Sequence, residues 1–565
     1  MNGRPYHWVV AAPLQVLTVA VLAIGLLVRT VGYLHRASLW GDEAMIALNV
    51  GARSFGGLAR PLDYGQVAPV PFLWTERLAV LVGGMNEYAL RLLPFVSGVL
   101  LLLAVAALAR RVLRSTEALV AIALAATAFP LIRYAAELKP YSLDALVSTG
   151  MTALAFEVLR APDDPAAWRR LALGGVAAIV LSIPAVFVGA GIATALGAVC
   201  IRRRASLTRP GSAAALWLGT ALATFLLWYR QNAGADYMRS YWAATFLVPG
   251  TPGWWPRLGL GLQESVCSLN CWRGLFDLSP LYVALAVLGA LALGRRTGWA
   301  APGVLLLPLG LAFAGSLLGR YPLATRLLLF SAPQVVMLVA VGLVVASEWV
   351  GRKLVVVRAR WLLATFLVPP VVFTLELALD PPDQTGFSKE ELRPLIGRLN
   401  REAGNDPVYV YHRATPAWIF YTTDWSSPDT ARLGWAARVA GPDGLGSVNG
   451  ASLGPRRPEQ AAALRRPYAG RIELLGAQSG SQGRMWQSYV PPHPDSGWAG
   501  AEAERMRTAA TPRVWIVLAD YHHPPQDDAL ALRAAVERLG GRVTVTRSAS
   551  EAEVLAVEFS GSHAR

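Results

Sequence analysis

The chain has 565 residues, of which 54% are hydrophobic and only 16% charged, and its mean hydropathy is +0.40. That balance excludes an ordinary soluble enzyme and points to an integral membrane protein. The net charge of +15 would suggest nucleic acid in a soluble chain. Here no basic stripe is interleaved with stacking aromatics, and the arginines cluster at the ends of apolar runs, as cytoplasmic anchors do.

From about Trp8 to Val28 the chain is apolar, roughly the 20 residues that a helix needs to cross a bilayer. It lacks a small-x-small cleavage site, so a retained first helix is expected rather than a signal peptide. Arginine clusters at 110–114, 169–170, 202–204, 295–296 and 352–360 give one consistent threading, with the N-terminus cytoplasmic. Helix 1 runs outward to about 30, and a long outer segment follows over about 31–87. Within it, Pro69 to Val82 is short for a span and reads as an interfacial helix, with a re-entrant hairpin as the alternative.

Further spans are expected at about 88–109, 116–132, 141–159, 170–184, 186–200 and 213–230. An outer loop of about 50 residues rich in Trp, Gly and Pro comes next. Helices near 280–294, 298–318, 327–347 and 360–378 bring the count to about eleven. Cys267 and Cys271 share the outer loop, where oxidation is open to them.

The division expected is a transmembrane domain over 1–378 and an extracytoplasmic α/β domain over 379–565. In the latter, Val408–Tyr411, Val514–Leu518, Val543–Val545 and Val554–Val557 read as strands. Ala414–Tyr421 reads as a short helix, and Ala529–Leu539 as a helix ended by Gly540-Gly541.

The chemistry concentrates at the outer ends of the spans. Asp42 and Glu43 lie in Ser38-Leu39-Trp40-Gly41-Asp42-Glu43-Ala44, just past the first helix, and Glu137 lies in Glu137-Leu138-Lys139-Pro140-Tyr141. Arg91, Lys139, Arg320 and Arg326 are the basic candidates on that side. A phosphate on a lipid carrier needs Arg or Lys to bind its charge and to stabilise it on departure. An acceptor hydroxyl needs a carboxylate as general base. Asp144 falls inside a span, where an unpaired charge is costly. His522-His523 lacks helical ligand spacing and reads as a surface loop.

The motif order resembles the GT-C glycosyltransferases, in particular the protein O-mannosyltransferase and aminoarabinose (lipid A) transferase families and their bacterial relatives. It comprises Leu39-Trp40-Gly41-Asp42-Glu43-Ala44, an interfacial helix, Asn86-Glu87-Tyr88-Ala89-Leu90-Arg91-Leu92-Leu93-Pro94, the Glu137 element, Tyr321-Pro322 through Arg326-Leu327-Leu328, and Asp406-Pro407-Val408-Tyr409-Val410-Tyr411. The resemblance implies an inverting hexosyl or pentosyl transfer from a polyprenyl-phosphate-linked sugar to an envelope glycan, lipid or protein, on the outer face of a bacterial plasma membrane. It casts Asp42 as general base, Glu43 beside it positioning substrate or a cation, and Glu137 as a third acid. The aminoarabinose transferases carry Glu-Lys-Pro-Pro where this chain has Val67-Ala68-Pro69-Val70. The family's donor lysine and proposed metal glutamate are therefore missing. No cofactor is expected, with a divalent metal left open, and Arg326, Arg320 or Lys139 would meet the donor phosphate. A transporter or lipid flippase is the alternative; it would carry its charges along the spans near the midplane, whereas most acids here lie at outer ends.

Overall fold

The computed structural model describes residues 6–62, 65–230, 242–266, 269, 277–353, 367–368, 370–372, 374–375, 379, 389–403, 406, 408–411, 413–423, 425–426, 447–448, 451–452, 473–475, 498–507, 513–519, 522–523 and 526–559. Cys267, Cys271 and most of the expected span at 360–378 lie outside the described residues.

The helices in chain order are α1 (Tyr6–Leu34), α2 (Gly41–Ala52), α3 (Phe55–Leu58), α4 (Val70–Gly83), α5 (Glu87–Val112), α6 (Ser115–Thr127), α7 (Phe129–Arg133), α8 (Tyr141–Arg160), α9 (Pro165–Leu181), α10 (Ala185–Arg202) and α11 (Thr208–Thr224). There follow α12 (Trp254–Val266), α13 (Ser279–Thr297), α14 (Ala300–Leu317), α15 (Thr325–Leu328) and α16 (Ala332–Lys353). Among the described residues, seven helical stretches are long and apolar enough to span a bilayer, and the bent pair Ser115–Thr127 and Phe129–Ala136 passes the same test only when its two halves are counted as one span. α9 and α13, with 17 and 19 residues, stand beside them in the bundle. The protein is a multi-pass membrane protein.

The sequence reads 116–132 as one straight helix, but the structure bends it by 59° between α6 and α7. Pro130 follows the break at Ala128; proline lacks the N–H for the helical ladder and its ring crowds the preceding turn. The carbonyls freed by the break are capped by Arg29 of α1, 1% exposed. Its guanidinium donates to Ala126 O at 3.1 Å and Ala125 O at 3.0 Å. Gly25, one turn earlier, lets the helices meet, because a Cβ there would sit 2.8 Å from Ala126 Cβ. A buried arginine in a span thus serves as a cap.

α4 inverts the pattern of a soluble helix. Trp74, Leu78, Leu81 and Val82 face outward while Glu76 is fully buried, as fits a helix lying along a membrane surface.

The C-terminal domain is α/β. It contains α17 (Leu392–Glu402), α18 (Thr415–Thr422), α19 (Trp498–Arg507), α20 (Asp528–Arg538) and strands β1 (Val408–Val410), β2 (Ser447–Val448), β3 (Ala451–Ser452), β4 (Glu473–Leu475), β5 (Arg513–Ala519), β6 (His522–His523), β7 (Gln526–Asp527), β8 (Gly541–Ala549) and β9 (Ala552–Phe559). Five strands make a mixed sheet in the order β4-β1-β5-β9-β8. β1 runs parallel to both β4 and β5, and β9 is antiparallel to β5 and β8. The strands and helices read from the sequence at 408–411, 414–421, 514–518, 529–539, 543–545 and 554–557 all fall on these elements.

One apolar core crosses the domain boundary. Leu39, Ile46 and Leu48 of the first outer segment pack in the same cluster as Leu392, Trp418 and Trp515. Backbone donors of that segment end on C-terminal side chains: Ser38 N–H on Glu391 at 2.9 Å, Gly41 N–H on Glu390 at 3.1 Å and Leu39 N–H on the Tyr421 hydroxyl at 2.7 Å. The C-terminal domain therefore fixes the loop that carries Asp42.

Candidate functional site

α2 begins at Gly41 after extended Trp40, with Asp42 and Glu43 in its first turn, where the positive end of the helix dipole favours carboxylates. The two neighbours point to different environments. Glu43 is 1% exposed and forms a two-pronged pair with Arg91: Nε donates to Oε1 at 2.8 Å and Nη2 to Oε2 at 2.6 Å. Leu138 N–H donates to the same carboxylate at 2.6 Å. Arg91 also donates to Ala37 O at 2.7 Å and to Ser38 O at 3.2 Å. Glu43 thus clamps the first outer segment to the second, inside the protein.

Asp42 meets residues from three distant segments. Its Oδ2 is 3.1 Å from Arg326 Nη1 and 3.5 Å from Lys139 Nζ. Its Oδ1 accepts from Gln66 Nε2 at 3.3 Å, and Lys139 Nζ donates to Gln66 Oε1 at 3.0 Å. Arg326 sits on the one-turn helix α15, whose first residue is held by Glu264 of α12: Thr325 N–H donates to that carboxylate at 2.7 Å, and the Thr325 hydroxyl is bonded to it as well. The Arg326 guanidinium lies over the Trp242 ring, 4.9 Å from its centroid. The Asp42 and Arg326 side chains are 19% and 18% exposed, enough for a substrate to reach them.

The electrostatics follow from this crowding. Burial alone would raise the Asp42 carboxyl, but Lys139 and Arg326, with help from the Gln66 hydrogen bond and Lys389, hold it below the usual carboxylate range. Burial, and then Arg326 as a neighbouring cation, pull the Lys139 ammonium below its ordinary value despite Asp42 and Glu137. Lys389 is lowered chiefly by burial, and its ammonium lies 3.3 Å from the Trp40 ring centroid. Asp42 and Glu137 therefore share a cluster with Lys139, Arg326, Lys389 and Arg133, a surplus of positive charge that an anion would neutralise.

Of the residues singled out from the sequence, the structure brings Asp42, Lys139 and Arg326 together. Glu137 stands nearby, its Oε2 3.5 Å from Arg133 Nε. Arg320 is exposed and makes no ion pair among the described residues. Asp144 is buried and has no cation partner among them. Lys389, Gln66 and Glu264 were not visible as site residues in the sequence. Only Gln66 carried a signal, since it directly precedes the Val67-Ala68-Pro69-Val70 element where the aminoarabinose transferases differ. Among the described residues no cluster of three or more His, Cys, Asp or Glu is placed to hold a metal ion.

No protein-family model matches the chain, and no curated protein matches it in sequence. Among solved structures it is similar to ArnT from Cupriavidus metallidurans bound to undecaprenyl phosphate, at 12% identity and a TM-score of 0.48, over 95% of this chain and 97% of that one. The apo form of the same protein gives 13% identity and the same TM-score over 97% and 98% of the two chains. The archaeal oligosaccharyltransferase AglB from Archaeoglobus fulgidus, in complex with an inhibitory peptide and a dolichol-phosphate, gives 12% identity and a TM-score of 0.47, over 95% of this chain and 74% of that one.

Proposed function

We propose that the protein is a GT-C-type glycosyltransferase that moves a sugar from a polyprenyl-phosphate donor to an acceptor at the outer face of the membrane. The observation that carries this reading is the meeting of Asp42 with Lys139, Arg326 and Lys389 at one end of the helix bundle. A base and a surplus of positive charge stand there at the edge of the lipid. Asp42 takes the proton of the acceptor hydroxyl as its oxygen bonds to the anomeric carbon. The bond from that carbon to the phosphate oxygen breaks, and Arg326 and Lys139 hold the departing phosphate.

Inversion requires base and leaving group on opposite faces of the sugar, whereas Asp42 directly contacts both cations in the structure. A donor phosphate that competes for Arg326 and Lys139 releases the carboxylate, and losing those partners raises its basicity. The donor would in this way activate its own base.

The test is transfer of radiolabelled sugar from a panel of polyprenyl-phosphate donors by purified wild type and Asp42→Asn. Label reaching acceptor or water with wild type alone supports the reading. Equal turnover by the variant removes Asp42 as base, and binding without turnover across the panel favours a carrier or binding role.

A further inference from the structure

A second arginine cluster lies at the opposite end of the bundle. α8 begins at Tyr141 beside Lys139 and runs 20 residues to Arg160, which places its far end roughly 30 Å from the Asp42 site, the thickness of a bilayer's hydrocarbon core. α5 likewise runs from Arg91, which grips Glu43, to Arg111. α10 runs in the same sense, since Phe187 near its start touches Tyr321. α14 runs the other way, so its first residues meet the last turns of α5, α8 and α10.

A cavity of about 530 Å³ opens between these four ends. Phe156, Leu159 and Val199 contribute an apolar wall, Trp299 and Ala300 stand at the start of α14, and Arg111, Arg160, Arg202 and Arg203 supply the charge.

Three of these arginines sit in the last turns of their helices, where a cation offsets the negative end of the dipole. Two have local partners: Arg111 is 3.9 Å from Glu157, and Arg160 donates to the Arg111 carbonyl. Dipole capping does not account for the cavity itself, nor for Arg203, which follows Arg202 beyond the helix end. Among the described residues neither Arg202 nor Arg203 has an acidic partner, and both are exposed. The first N–H groups of α14 add positive potential from the opposite wall. Trp299 has the amphipathic character of residues at the headgroup level.

We infer that this cavity binds a phosphate group carried by a membrane lipid, with the headgroup phosphate held by Arg202 and Arg203 and the acyl chain along Phe156, Leu159 and Val199. An apolar wall that ends in guanidinium groups matches an anionic phospholipid, which joins the same two chemistries at the same depth. The site lies on the membrane face opposite the Asp42 cluster.

The full-length protein in neutral detergent, titrated with dioctanoyl phosphatidylglycerol and followed by native mass spectrometry, tests this. Wild type binds one equivalent, and dioctanoyl phosphatidylcholine binds at least several-fold more weakly. Arg202→Gln/Arg203→Gln loses on the order of tenfold in affinity, Arg202→Lys/Arg203→Lys keeps most of it, and the exposed Arg169→Gln outside the cavity leaves it unchanged. Unchanged thermal unfolding midpoints exclude misfolding as the cause of the loss. Inorganic phosphate that displaces the lipid at millimolar concentration identifies a free anion as a sufficient ligand; failure to displace it identifies the lipid. Equal binding of the two lipids, or unchanged binding by the Gln double variant, overturns the proposal.

Discussion

The two ends of the helix bundle handle charge in opposite ways. At the Asp42 end, cations meet acids delivered from distant parts of the chain: Arg91 meets Glu43, Arg326 and Lys139 meet Asp42, and Arg36 and Arg393 both meet Glu87. At the other end Arg296 pairs with Glu117 and Arg111 lies near Glu157, but among the described residues Arg202 and Arg203 have no acidic partner. Matched charge at the first end builds a rigid frame around one deliberately over-supplied carboxylate. Surplus charge at the second suits a surface that faces anionic lipid.

The sharpest way to break the comparison is within one dipeptide. Asp42→Asn removes the proposed base while keeping its size, so transfer should fall by about 10²- to 10⁴-fold with little change in the unfolding midpoint. Glu43→Gln does the reverse first. It strands a buried guanidinium, at a cost of roughly 3–5 kcal/mol, and loses activity through unfolding. Paired thermal melts and transfer rates separate the two, and a stable Glu43→Gln variant would show that the clamp is not structural.

The cations proposed to hold the donor phosphate come next. Arg326→Met and Lys139→Met should each weaken donor binding by roughly 10- to 100-fold, the worth of a hydrogen bond to a charged group. Arg320→Met should leave it nearly unchanged. Donor titrations check this ordering, and an equal loss in all three would dissolve the distinction between paired and exposed arginines.

Activity should also carry the signs of the two shifted groups. Because Asp42 is held below the usual carboxylate range in the free protein, it stays ionised there as pH falls through about 4–5, so kcat/KM should remain flat on the acid side, whereas kcat, which reports the donor complex, should begin to fall at a higher pH. Because Lys139 is lowered, it loses its proton on the alkaline side before an ordinary lysine would. Donor affinity should fall with it, earlier on the alkaline side than an ordinary lysine would allow, and Lys139→Arg should move that loss upward.

The smallest effect concerns the exception at the matched end. Among the described residues Glu76 has no hydrogen-bond partner on either oxygen, and burial raises its carboxyl well above the ordinary value, which favours the neutral form. Glu76→Met should raise stability by about 1 kcal/mol, read as a higher unfolding midpoint.

Much of the fold was legible because apolar periodicity and β-rich runs are local. The strand Val514–Leu518 and the helix ended by Gly540-Gly541 fall where the residues place them. The bend before Pro130 went unread although its proline is local, and its cap could not be read, because Arg29 lies 96 residues from Ala125. The site shows the same limit. Asp42 and Lys139 carry chemistry in their own motifs, but whether Glu43 faces solvent or Arg91 depends on how helices pack. Lys389 enters the site only because its neighbours Glu390 and Glu391 bind the first outer segment.

That last contact sets an order of events during synthesis. The N–H groups of Ser38 and Gly41 find their acceptors 353 and 349 residues later in the chain. At 5–20 residues per second, that interval is roughly 20–70 s. The membrane helices can insert while it passes, but the loop bearing Asp42 takes its final shape only when the C-terminal domain arrives to hold it. A nascent chain therefore carries a finished bundle and an unfinished site, and the Asp42 cluster is among the last of its parts to be set.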